Sequence, residues 1–254
     1  MSQVRRTPWR DVVQVMGLPI SVALRGRHAG DDVALTAWAR VQADLHAVDA
    51  MFSRYRDDSW VSLFNSGHAD VADAPAEVRE VLTLAEAARS ASDGAFDVRR
   101  PGVDGRTLLD TDGVVKGWAV QRAARHLIAL DDTDVCLGGG GDLVCWTAEA
   151  ESAPWQIGIE DPHDPGSIVA RVPITRGAVA TSSAAHRGTH IVDARTGRPP
   201  QHIASVTVLA PDLVTADVDA TAAFAQGAAA LRWLRSRPGR GGLIVWGDGS
   251  VETV

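Results

Sequence analysis

The order of helix-like and strand-like text predicts an α+β protein. Two observations carry this. Apolar residues recur at three- and four-residue steps in four well-separated segments, and the stretch 134–208 between them reads as a run of short strands. Helices and strands therefore come in blocks, without the strict alternation of a doubly wound parallel sheet.

Taken in order, residues 12–24 read as two strands broken at Gly17 and Pro19. Ala34, Trp38, Val41, Leu45, Val48 and Phe52 form one face of a first helix. A second helix is expected from Pro75, with Val78, Val81, Leu82, Ala85 and Ala88 inward, because proline suits a first helical turn. A third follows Lys116, burying Val120, Ala123, Ala124 and Leu127. Strands are expected at 135–137, 143–146, 155–159, 168–174 and 205–209. A fourth helix should run from Thr215 through Leu234 to a stop at Pro238-Gly239. A last hairpin, 243–246 with 251–254, turns on Gly247-Asp248-Gly249.

Composition excludes several classes. A net charge of −7 with no basic stripe argues against a general nucleic-acid binder. No apolar run approaches the ~18 residues of a membrane span. Cys136 and Cys145 lack zinc or redox-motif spacing and read as buried thiols. Arg5-Arg6 is not followed by an apolar stretch, so a cytoplasmic protein without an export signal is expected. The length suits one large domain or two fused subdomains.

Four segments carry chemistry. Lysine and arginine together number 25, yet only Lys116 is a lysine. A compact ammonium is thus kept where an arginine fork would bind differently. Lys116 stands in the turn Asp110-Thr111-Asp112-Gly113-Val114-Val115, where backbone N–H groups, an ammonium and carboxylates can meet a phosphate and its metal. A surface lysine at a helix start is the competing reading. In Thr215-Ala216-Asp217-Val218-Asp219-Ala220-Thr221, Asp217 and Thr221 share one helical face. They can offer oxygens to Mg²⁺, or serve as ordinary residues of a helix start capped by Thr215. Ala180-Thr181-Ser182-Ser183 reads as a polar turn leading to His190. That histidine is a candidate general base or a structural hydrogen bonder, with His186 close by, and Asp193 anchors a turn with Thr196-Gly197. Gly138 to Gly141, followed by Asp142, lacks dinucleotide-loop spacing and reads as a permissive turn with backbone close to a ligand.

In this order the segments resemble the ApbE-like family, the FAD:protein FMN transferases, over nearly the whole chain. Met16-Gly17 is similar to the family's opening strand motif. Phe52-Ser53-Arg54-Tyr55-Arg56-Asp57-Asp58-Ser59, with Asn65, resembles its FS-x-Y-x-x-DS segment. Asp93-Gly94-Ala95-Phe96-Asp97 resembles its GAFD signature. The stretch 110–117 resembles the D-x-G-G-x-A-K-G turn, and Gly140-Gly141-Asp142 the GGD. Residues 155–162 resemble W-x-V-G-I-x-D-P. Ala180-Thr181-Ser182, 190–197 and 215–221 are similar to the ATSG, HIIDP-x-TG and TAD-x-x-AT blocks. The chain departs from the pattern at Asp112 and Ser183, where glycine is usual, at Val115, where alanine is usual, and by the added carboxylate of Asp219.

The resemblance implies a single 1–254 domain of two intertwined α+β subdomains with mixed or antiparallel sheets and FAD held between them. It implies Mg²⁺ bound by Asp217, Thr221 and the backbone of Gly113. It implies flavin-nucleotide contacts from Met16, Tyr55, Ala95, Phe96, Asp97, Asp110, Lys116 and Ile191, and a proton-transfer role for His190 beside Lys116. The implied reaction moves FMN from FAD, as substrate, to a Thr or Ser hydroxyl of an acceptor flavoprotein with release of AMP. A non-catalytic FAD-binding protein and an FAD pyrophosphatase are the alternatives.

Overall fold

Burial with period two along the strands and period 3.6 along the helices sorts this chain into layers. The computed structural model describes residues 7–102, 105–184 and 191–254. Strands β1 (Trp9–Val15) and β2 (Leu18–Gly26) form a hairpin. Its two-residue turn, Met16-Gly17, has φ of 53° and 71°, the left-handed pair such hairpins require. Pro19 does not break the strand as expected. It lies beyond the stretch of β2 paired with β5 (Thr133–Gly139), so it is locally an edge residue, where proline is tolerated.

Helix α1 (Asp32–Phe52) buries the predicted stripe from Ala34 to Phe52 and is capped by Asp31, whose carboxylate accepts from the Ala34 N–H. The helix α2 (Trp60–Ser66) has no counterpart in the sequence pattern, because seven residues are too few to establish a period. Pro75 stands just outside α3 (Ala76–Ala91), at its N-cap. A small hairpin, β3 (Arg99–Pro101) and β4 (Thr107–Leu109), leads into α4 (Asp112–Ile128). This helix starts before Lys116 rather than after it. Gly113 and Gly117 mask its first turns, since glycine is a poor helix former outside tertiary context.

The remaining strands are β6 (Asp142–Trp146), β7 (Trp155–Glu160), β8 (Ile168–Ile174), β9 (Arg176–Ser183) and β10 (Ile203–Ala210). Residues 180–183, expected as a turn, close β9. Their small side chains suit a strand packed on both faces. The expected fourth helix is two: α5 (Leu213–Ala225) and α6 (Ala230–Arg235). Between them Gly227 takes φ of 55° in a 3₁₀ turn that redirects the chain. The hairpin β11 (Gly241–Trp246) and β12 (Val251–Thr253) ends the fold.

One eight-stranded antiparallel sheet, ordered β1-β2-β5-β6-β9-β10-β11-β12, organises the molecule. Ile20, Val22, Leu137, Ala180, Val206 and Ile244 join the core shared with α1, α4 and α5. Val179, Leu243 and Val245 point the other way and pack under Trp155, Ile157 and Ile159 of the β7–β8 hairpin. Cys136 and Cys145 face each other across β5 and β6 as free thiols, Sγ atoms 3.8 Å apart. The α+β class is as predicted, and no helix among the described residues is long and apolar enough to cross a membrane.

Asp219 is buried in α5 and pairs with Arg240 at 2.7 Å and Arg237 at 3.4 Å, in the segment between α6 and β11. It staples α5 to that segment. Asp219→Ala strands two partly buried guanidinium groups and should cost about 3 kcal/mol, the scale for removing one member of a buried pair. Urea unfolding measures this.

Candidate functional site

Helices α4 and α5 meet closely because Gly117 has no side chain. A Cβ there would stand 2.9 Å from both Cβ and Oδ2 of Asp217 and 3.0 Å from the Leu213 carbonyl oxygen. The approach lets the Gly117 N–H donate to Asp217 Oδ2 at 2.9 Å. Gln121, one turn on, accepts from the Leu213 N–H at 2.8 Å. Buried alanines on α5 and on β9 let α5 pack on the sheet with little side-chain bulk between them. Asp217 is therefore no cap. The N-cap of α5 is Asp212, which accepts from the Thr215 N–H, whereas Asp217 is buried against α4.

Lys116, one residue earlier, reaches across this contact. Its ammonium is paired with Asp142 and lies 3.5 Å from Asp217 Oδ1. Asp142 arrives on the tip of the β5–β6 hairpin, where Gly140 and Gly141 take φ of 64° and 91°. These left-handed conformations make the two-residue turn that aims Asp142 inward. The Thr181 N–H donates to Asp142 Oδ1 at 3.1 Å and fixes it. Burial, with Asp142 adding repulsion and Lys116 opposing both, pushes the Asp217 carboxyl up to about 7. One turn beyond Asp217, the Thr221 hydroxyl shares a hydrogen bond with Ser182 at 3.1 Å. Gly113 sits opposite, its Cβ direction 3.9 Å from the Thr221 methyl.

The facing wall is built from motif segments that brace one another. Asn65 of α2 grips Leu109 twice, accepting from its N–H at 2.7 Å and donating to its carbonyl at 3.0 Å. This places the following Asp110, which is buried between Arg54 at 3.1 Å and Arg100 at 3.2 Å. Arg54 also holds Asp112 at 2.8 Å, so the charge added at that position is answered within the chain. After α3, Asp93 and Gly94 take left-handed φ and Ser92 accepts from the Phe96 N–H at 3.0 Å. The turn delivers Phe96 against Gly113, where a Cβ would meet its ring at 3.0 Å. The Ala194 N–H donates to the Ala95 carbonyl at 3.0 Å, joining the 191–198 turn to this wall.

These walls enclose a cleft of about 870 Å³. Of the residues anticipated from sequence, Ala95, Phe96, Asp97, Asp110, Gly113, Lys116, Ile191, Asp217 and Thr221 line it together. Met16, at the β1–β2 turn, and Tyr55, which is 90% exposed, are not among its lining residues. His190 lies outside the described residues. Asp219 points elsewhere. Asp142, Ser182 and Arg54 stand in the motif segments, but the sequence alone gives them no site role. For Asp142 a signal existed, since a carboxylate after four glycines in strand text is a polar group destined for the interior.

Among the described residues no three His, Cys, Asp or Glu side chains cluster as a metal site. The oxygens of Asp217, Thr221 and the Gly113 backbone are hard donors. One carboxylate with neutral oxygens is the kind of set that holds Mg²⁺ when phosphate and water complete the shell. The residues present thus fit such an ion only in partnership with a ligand.

Comparison with known proteins gives a consistent result. The model of the ApbE family matches residues 16–103 and 102–244. The FAD:protein FMN transferase of Haemophilus influenzae is 28% identical over 264 residues, covering 78% of this chain and 76% of that protein. Among solved structures, the ApbE protein of Thermotoga maritima superposes with a TM-score of 0.83 at 21% identity, over 97% of this chain and 96% of its own. The apo flavinyl transferase ApbE of Pseudomonas stutzeri does so at 0.81 and 24%, over 100% and 96%.

Two outcomes follow from this geometry. Gly117→Ala should destabilise the fold by ~2 kcal/mol or more, because backbone and a buried carboxylate must move; chemical denaturation reads this. Asp217 is raised above its ordinary 3.8. The ligand-free fold is therefore favoured while Asp217 is protonated, and that contribution is lost as pH rises through about 7. Melting curves from pH 4 to 8 should show this decline in the wild type and a flatter profile in Asp217→Asn.

Proposed function

This chain belongs to the ApbE family, and on that ground we propose that it transfers FMN from FAD to a Thr or Ser hydroxyl of an acceptor protein, releasing AMP. One observation carries the reading. Lys116, Asp217 and Thr221, from two helices a hundred residues apart, converge on one wall of a single large cleft with the first turns of α4. A helix N-terminus beside an ammonium suits a diphosphate.

Charge supports a cation there. Lys116 answers two buried carboxylates, Asp142 and Asp217, so the ionised trio carries net negative charge before any phosphate arrives. Asp217, Thr221 and the Gly113 backbone would hold Mg²⁺, which when bound would withdraw charge from the bridging diphosphate oxygens.

The chain's own groups then have defined tasks. Lys116, held in place by Asp142, faces the diphosphate and offsets the charge that grows on departing AMP. Arg54 and Arg100 fix Asp110, and with it the start of α4. Phe96 and Ile191 give apolar surface to the flavin. The acceptor hydroxyl attacks the phosphorus on the FMN side. A new P–O bond forms, the bond to AMP breaks, and the hydroxyl proton passes to His190, whose chain neighbour Ile191 lines the cleft. The product is FMN joined to the acceptor by a phosphodiester. Water in place of the acceptor would yield FMN and AMP.

Incubation with FAD, Mg²⁺ and an acceptor domain should release AMP and raise the acceptor mass by FMN less one water. FAD binding without AMP release would favour the non-catalytic reading, and AMP with free FMN the pyrophosphatase. Lys116→Ala should slow turnover by about 100-fold or more, the scale of losing one preorganised charge. Asp217→Ala should abolish the dependence on Mg²⁺ concentration, read from initial rates.

A further inference from the structure

The cleft does not end at the helix-facing side of the sheet. Past the end of β9 it continues to the side covered by β7, where Leu143, Ile157, Ile159 and Ser205 line it. Ser205 is only 1% exposed and lies opposite Ser183 on β9 and Val245 on β11. Two residues along the same face of β10, the Thr207 hydroxyl meets Thr181 at 2.9 Å. The Ser205 hydroxyl, among the described residues, has no hydrogen-bond partner.

That difference is informative. A buried hydroxyl without a partner opposes folding; the Thr111 and Thr147 hydroxyls share this condition, but of the three only Ser205 lines the cleft. A β-branched apolar residue would fill this strand position better if packing were its only task. Leu143, Ile157 and Ile159 make this part of the cleft mainly aliphatic, with Glu160, Thr181 and Ser183 also on the lining. A mainly apolar slot with a few convergent polar groups is how a protein holds a flat ring and fixes its orientation.

We propose that Ser205 is a specificity-determining contact, its O–H donating to a ring nitrogen or carbonyl of a planar heteroaromatic base held against Leu143, Ile157 and Ile159. The proposal rests on the FAD reading given above. Both ends of FAD carry that chemistry: adenine through its ring nitrogens, isoalloxazine through its ring nitrogens and carbonyls. A base lacking an acceptor at that point would leave the hydroxyl buried and unpaired, which is a strong basis for rejection.

The test compares wild type with Ser205→Ala for binding of FAD, AMP and FMN, together with the ligand-free melting temperature. Ser205→Ala should weaken FAD about tenfold, the scale of one lost hydrogen bond in a closed site. The same factor should appear for AMP or for FMN but not both, and the half affected identifies the base. The ligand-free melting temperature should equal or exceed that of wild type, because a partnerless hydroxyl has gone. Unchanged affinity for all three ligands would overturn the proposal. So would equal losses on both halves with a lowered melting temperature, which would mark a purely structural residue. A wild type that fails to bind FAD would overturn the functional reading and this proposal together, whereas normal FAD binding in both proteins would overturn this proposal alone.

Discussion

The structure depends on the close contact of α4 and α5 at Gly117. Put a side chain there, and the two helices must shift apart, because its Cβ would stand 2.9 Å from Asp217 and 3.0 Å from the Leu213 carbonyl oxygen. That separation would break the bond from the Gly117 N–H to Asp217 and pull Lys116 from between its two carboxylates. Gly113, one turn earlier, does the same for the Phe96 ring. Glycines that weaken a helix in isolation are here what lets it form the site, a local cost offset by tertiary packing.

The charge arrangement has the same logic. Two carboxylates are taken out of water beside one ammonium, and the imbalance shows as the raised Asp217 carboxyl. Carboxyls perturbed in this way cluster at functional sites. The surrounding ion pairs differ in kind. Arg54 and Arg100 with Asp110, and Asp219 with Arg237 and Arg240, have the cations in excess instead, and they hold segments in place.

Much of this was legible in the sequence, and for physical reasons. The α1 stripe from Ala34 to Phe52 repeats over five turns, enough for periodicity to leave no choice. The lone lysine stood out by composition. The Asp217–Thr221 spacing put both side chains on one helical face before any fold was known. What escaped depended on partners distant in sequence. Residues 180–183 look like a turn until Ala178 and Ala180 are seen to face α5. The break at Gly227 is hidden because the alanines around it favour helix on either side. Asp219 seemed to belong with Asp217, yet two residues on a helix turn a side chain through most of half a circle, and the arginines that claim it lie beyond α6. The Ser205 position could not be read at all, since a hydroxyl unmet among the described residues shows only in the folded strands.

The wall formed by Lys116, Asp142 and Asp217 has a consequence for assembly. Each of its members comes from a different supersecondary unit, and the bond between Gly117 and Asp217 spans 100 residues of chain. Closing so long a loop costs entropy that only the completed core returns. A chain that stops short of α5 therefore has Lys116 and Asp142 but neither Asp217 nor Thr221, and this wall is complete only when the long loop closes.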